Sequence, residues 1–111
     1  MNTLKELNHR LAMIIIIIKR PLITRDEFDL CRNSSFFDAK WYLSHNPDVK
    51  KSGLDPLEHY LLYGGIEGRD PSDKFSSQWY MDTYKDIKKV GINPLIHYLK
   101  YGKNEGRKTK N

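Results

Sequence analysis

Leu57, Tyr60 and Leu61 stand at i, i+3 and i+4, the spacing that lays apolar side chains on one face of a helix, and Leu95, Tyr98 and Leu99 repeat it. Each set is introduced by a capping residue and a proline, Asp55-Pro56 or Asn93-Pro94; the missing proline N–H is no loss at the first helical position. Each is closed by a glycine, Gly64 or Gly102. A tight return comes next, over Glu67-Gly68-Arg69 or Glu105-Gly106-Arg107. Position 58/96 changes from Glu to Ile and position 62/100 from Leu to Lys. Both are therefore expected to face solvent or an outer contact.

The offset between the two stretches is 94 − 56 = 38, and it holds without a gap from Phe37/Phe75 to Arg69/Arg107, with 17 of 33 aligned pairs identical. A fixed period of this length predicts stacked supersecondary units. Each unit opens with Phe37-Asp38-Ala39-Lys40-Trp41-Tyr42 or Phe75-Ser76-Ser77-Gln78-Trp79-Tyr80. Asp38 or Ser76 suits an N-cap, and the Phe before it is placed to staple onto Tyr42 or Tyr80. Pro47 stops the first helix; Lys85 stands there in the second copy. Asp48-Val49-Lys50-Lys51 and Asp86-Ile87-Lys88-Lys89 predict a further turn, ended by Gly53 or Gly91 in the left-handed conformation. The expected fold is all-α, a tandem array of short helices with repeat 1 over 36–73, repeat 2 over 74–107 and a basic tail over 108–111.

Residues 1–35 form the leading segment. Leu11 to Ile18 is an apolar run of eight residues, well short of the roughly 20 that cross a bilayer as a helix. Lys19-Arg20-Pro21 stands where a signal peptide would need small residues. Leu4, Leu7, Leu11 and Ile14 favour a helix from about Thr3 to Lys19, as a cap on the first repeat or an apolar wedge in a membrane interface. Thr24-Arg25-Asp26-Glu27 predicts a capping box and a second short helix, with Phe28 and Leu30 as its apolar side.

The net charge of +5 is moderate, and Lys103, Arg107, Lys108 and Lys110 against Glu105 supply +3 of it. This end is expected to be solvated and frayed, with an anionic partner as the alternative. Cys31 is the only cysteine, so no internal disulfide and no oxidising compartment are implied. Lys50-Lys51 and Lys88-Lys89 are short basic pairs without a reader motif, so nucleic acid is not an expected partner.

His59 and His97 are the residues most worth testing for function. On helices rich in Leu and Tyr, their expected role is structural, each ring bonded to a carboxylate or carbonyl of the neighbouring unit. His9 and His45 belong to no repeated pattern and Cys31 stands alone, so neither a metal nor a cofactor is expected. Glu67 with Arg69, and Glu105 with Arg107, are expected to brace their turns, the alternatives being pairing across units or holding a polar ligand. Trp41, Tyr42, Tyr63, Trp79, Tyr80 and Tyr101 have faces that stack on sugar rings or bases, although core packing accounts for most of them. The binding candidates are thus His59, Tyr63, Glu67, Arg69, His97, Tyr101, Glu105, Arg107, Trp41 and Trp79. No phosphate loop, nucleophile elbow or nucleotide fingerprint is present, and the chain is not expected to be an enzyme.

The pattern Phe-Asp-x-x-Trp-Tyr-Leu, Asn-Pro-Asp-Val, Gly-x-Asp-Pro-Leu, His-Tyr-Leu-x-Tyr-Gly and Glu-Gly-Arg-x-Pro, carried by Phe37 to Pro71, resembles repeats attached to bacterial glycosyltransferases and rhamnan-synthesis-type proteins of surface-polysaccharide assembly. The copy from Phe75 to Arg107 matches more loosely, with Ser76, Met81 and Lys85 in place of Asp38, Leu43 and Pro47. The resemblance implies a non-catalytic accessory module, cytoplasmic or peripheral to the membrane. Its implied partner is a glycosyltransferase or another polysaccharide-assembly protein. A carbohydrate-binding module using exposed Trp or Tyr, and a small membrane-peripheral protein anchored by Leu11 to Ile18, are the alternatives. A homodimer through an open end after Arg107 is a further one.

Overall fold

The computed structural model describes residues 22–111. The expected helix from Thr3 to Lys19, with its apolar run, lies outside them. The described residues are mostly helical, and their one β feature is an isolated bridge between Ser72 and Phe75.

Helix α1 (Arg25–Arg32) begins at the capping box: the Thr24 hydroxyl accepts from Glu27 N–H at 3.2 Å, and the Glu27 carboxylate accepts from Thr24 N–H at 2.9 Å. Its inner side differs from expectation. Phe28 packs on the core and Cys31 is fully buried, whereas Leu30 is exposed. Residues 28 and 31 are three apart and share a face, which turns position 30 outward.

Beyond α1 the chain forms two sets of helices. Helices α2 (Ala39–His45), α3 (Pro47–Ser52) and α4 (Pro56–His59) are matched by α5 (Ser77–Thr83), α6 (Lys85–Val90) and α7 (Pro94–His97). The caps are those the side chains predict, Asp38 on Trp41 N–H, Ser76 on Trp79 N–H, Asp55 on Glu58 N–H and Asn93 on Leu95 and Ile96 N–H. Pro47 both ends α2 and opens α3, where its lack of an N–H is harmless. Gly53 at φ 74° and Gly91 at φ 77° end α3 and α6 in the left-handed region, which glycine reaches without a Cβ clash.

Helices α4 and α7 end in a way that the spacing does not reveal. Each widens into a π turn, Tyr60–Gly64 or Tyr98–Gly102, closed by Gly65 N–H to Tyr60 C=O at 2.9 Å or Lys103 N–H to Tyr98 C=O at 2.8 Å. The glycines that close the π turns are needed for room. A Cβ on Gly64 would run into the Tyr42 hydroxyl, and one on Gly102 into the Tyr80 hydroxyl.

Tyr42, Tyr60, Leu57 and Leu61 form the centre of the first set, and Phe75, Tyr80, Leu95 and Tyr98 that of the second. Phe37 meets Tyr42 with ring centroids 6.0 Å apart and Phe75 meets Tyr80 at 5.2 Å, the expected staples. Of the two places expected for position 58/96, Glu58 is exposed to solvent, whereas Ile96 is buried in an outer contact, the junction between the sets, beside Ile92, Leu61 and Ile23.

The sets are joined in two ways. Directly, the Tyr60 hydroxyl bonds Ser77 Oγ at 2.8 Å, Asn93 Nδ2 donates to Tyr60 C=O at 3.2 Å, and Ser77 N–H donates to Asp70 at 2.9 Å. The Phe36 ring also lies 5.3 Å from that of Tyr98. Indirectly, α1 packs against both α4 and α7, and Lys100 reaches Glu27 at 3.1 Å. The basic end is not frayed as expected. Ser76 N–H donates to Thr109 C=O at 2.9 Å, as Asp38 N–H donates to Pro71 C=O at 3.0 Å, and Lys108 N–H donates to the Tyr84 hydroxyl at 2.9 Å.

Candidate functional site

The shared polar residues gather at one place in each set. In the first, the Tyr42 hydroxyl and His59 Nδ1 are 2.8 Å apart; in the second, Tyr80 and His97 are also 2.8 Å apart. Helices α2 and α4 present these pairs to each other, as do α5 and α7. The expected partner, a carboxylate or carbonyl of the neighbouring unit, is replaced by a phenol from the same set, because the Gly64 and Gly102 gaps admit the tyrosine tips. Burial, reinforced by Arg69, holds His59 below its ordinary pKa. Burial and Arg107 do the same to His97. Burial raises the hydroxyls of Tyr42 and Tyr80. Each pair therefore rests as neutral imidazole and neutral phenol at pH 7.

Beside each pair lies an ion cluster. Arg69 grips Asp48 with both terminal nitrogens, at 2.9 Å each, and Glu67 with Nε at 3.0 Å. Arg107 grips Asp86 at 3.2 and 3.1 Å and Glu105 at 3.0 Å. The fork of a guanidinium suits a carboxylate held edge-on, and this geometry draws Asp48 and Asp86 below their ordinary pKa. The two clusters differ in one contact. Arg69 also donates to Asn46 Oδ1 at 3.0 Å, whereas position 84 is tyrosine and Arg107 lies 4.7 Å over its ring.

Of the sequence candidates, the fold thus brings His59, Glu67 and Arg69 beside the Tyr42 pocket, and His97, Glu105 and Arg107 beside Tyr80. Tyr63 is half-buried, its ring 5.8 Å from His59. Tyr101 lies 5.6 Å from His97 and is 48% exposed. Trp41 stands apart, stacked on His45 at 3.8 Å, and Trp79 meets Tyr84 edge-on at 6.1 Å. Both indoles are half-buried. Sequence reasoning missed Asp48, Asp86 and Asn46 as members. The signal for the two aspartates was present, since an Asp precedes the Arg by 21 residues in both copies.

What the arrangement does physically is brace. It ties the return loop to α3 and the π turn to α2 within one set. Every buried side-chain polar atom among the described residues has a partner, and no group of acidic, His or Cys side chains there could hold a metal ion. The junction cavity under α1, lined by Ile23, Leu62, Ile66 and Ile92, measures about 60 Å³, far below the roughly 300–1,000 Å³ of small-molecule pockets.

Set against protein-family models, curated proteins and solved structures, the chain matches none.

Proposed function

We propose that the chain is a non-catalytic module of two tandem helical repeats of period 38, which serves a glycosyltransferase of bacterial surface-polysaccharide assembly by docking a protein partner. The observation that carries the scaffold reading is the engagement of His59, Glu67 and Arg69, and of their copies, inside their own unit. Residues shared by both copies maintain the shape of the unit, and the outward positions that vary between copies are left to meet partners. The link to sugar transfer rests on the motif resemblance of Phe37 to Pro71. On this reading the module works in the cytoplasm or at the inner membrane face, with Leu11 to Ile18 as the membrane contact. Among the described residues no helix is long and apolar enough to cross a membrane.

Two measurements test the proposal together. The full chain, tagged and recovered from its native cell, is expected to bring a glycosyltransferase with it; recovery without any transferase counts against the assignment. An NMR titration with oligosaccharides of the host's own surface polysaccharide is expected to leave the indole N–H signals of Trp41 and Trp79 in place. Saturable, localised shifts there or at Tyr101, whose ring carries Lys100 Nζ at 5.6 Å, would replace protein docking with glycan binding.

A further inference from the structure

The two sets are not equivalent at their outward ends. The second set docks on the first over Gly65, Ile66 and Asp70. Gly65 is buried, because a Cβ there would meet Asn93 Nδ2. Ile66 lines the junction cavity opposite Ile92 and Ile96. The Asp70 carboxylate accepts Ser77 N–H. Thirty-eight residues on, the same places hold Lys103, Asn104 and Lys108, all exposed. Each change removes one requirement of docking. Lysine at 103 puts a side chain where the next asparagine would have to stand. Asparagine at 104 takes away the apolar contact, and the ammonium of Lys108 offers a donor where an acceptor is needed.

We infer that the outward face of the second unit is closed to a further unit of the same kind, so that Lys103, Asn104 and Lys108 terminate stacking in this direction. This inference rests on the junction geometry and is independent of which partner the module serves. It also removes the basis for a dimer formed by stacking of units at this end.

The test lengthens the chain after Thr109 by a copy of residues 72–109, which continues the spacing. One version keeps the natural junction; the other carries Lys103→Gly, Asn104→Ile and Lys108→Asp. Lys100 is left in place because Glu27 holds it. Amide hydrogen exchange is read in the third unit, with the first two as the internal control. The third unit is expected to exchange freely in the natural version and at least ~100-fold more slowly in the altered one. Equal protection in both versions, or none in either, overturns the inference. If the altered version unfolds, Gly65→Lys in the natural-length chain gives the reciprocal test. It is expected to release the Ser77 and Leu95 amides to exchange while those of α2 stay protected, and unchanged exchange refutes the inference.

Discussion

At Gly64 and Gly102 a tyrosine hydroxyl occupies the place of a side chain, and the π turn exists around that contact. Alanine at either position must push the phenol away from its histidine. Gly64→Ala and Gly102→Ala are each expected to destabilise the fold by roughly 1–3 kcal/mol, as overpacking does in close-packed interiors. The urea midpoint reads the effect, and an unchanged midpoint would mean the hydroxyl can move freely. The histidines themselves set a pH dependence. His59 and His97 titrate below their ordinary value of 6.5 when folded, so the unfolded chain binds more protons and stability falls as pH drops. This upper window opens as pH falls through about 6.5, and the lowered Asp48 and Asp86 extend the loss below about pH 4. Asp70 opposes this, since burial raises its carboxyl and its strain is relieved on protonation. Substituting both histidines with glutamine should flatten the upper window and leave the lower one. A midpoint that falls just as steeply through the upper window in that variant would refute the assignment.

The helix caps show at the level of elements what differs between two otherwise similar units. Asp55 is exposed and caps one amide, while Asn93 caps two and also donates across the junction to Tyr60 and Leu61 carbonyls. Asp55→Ala is expected to cost about 1 kcal/mol, the ordinary value of an N-cap, and Asn93→Ala about 2–3 kcal/mol because buried carbonyls lose a donor as well. Asn93→Asp keeps the cap but faces two carbonyls with an acceptor. It should be at least as damaging as alanine in the same urea titration, and a mild effect would show that the junction bond contributes little. Caps of this kind were legible in the sequence, as were the Thr24–Glu27 box, the left-handed glycines and the Glu67–Arg69 turn. All are made by residues two to four apart, so spacing reports them. The π turns and the burial of Ile96 and Cys31 were not legible, whereas the Asp48–Arg69 grip left a signal only in the spacing of 21 residues that both copies share. Each depends on a group brought from 17 or more residues away, such as Tyr42 onto His59, and no local period encodes it.

For the molecule as a whole, α1 is the piece that belongs to neither unit and touches both. Cys31 beneath it is fully buried and its thiol is pushed up to about 12 by burial and by Glu27. A thiol reagent is therefore expected to react only as the fold opens, at a rate that tracks unfolding. Rapid labelling under native conditions would show that α1 lifts independently. The placement of α1 also orders events in time. Its Glu27 is held by Lys100, and that pair spans 73 residues of chain. Contacts inside a unit, such as Tyr42 to His59 or Asp48 to Arg69, close 17 or 21 residues. Short loops close first because they lose less chain entropy. The contacts of α1 to the second unit are thus the last to form, and during refolding Cys31 should gain its full protection from labelling only after the tyrosine cores have formed.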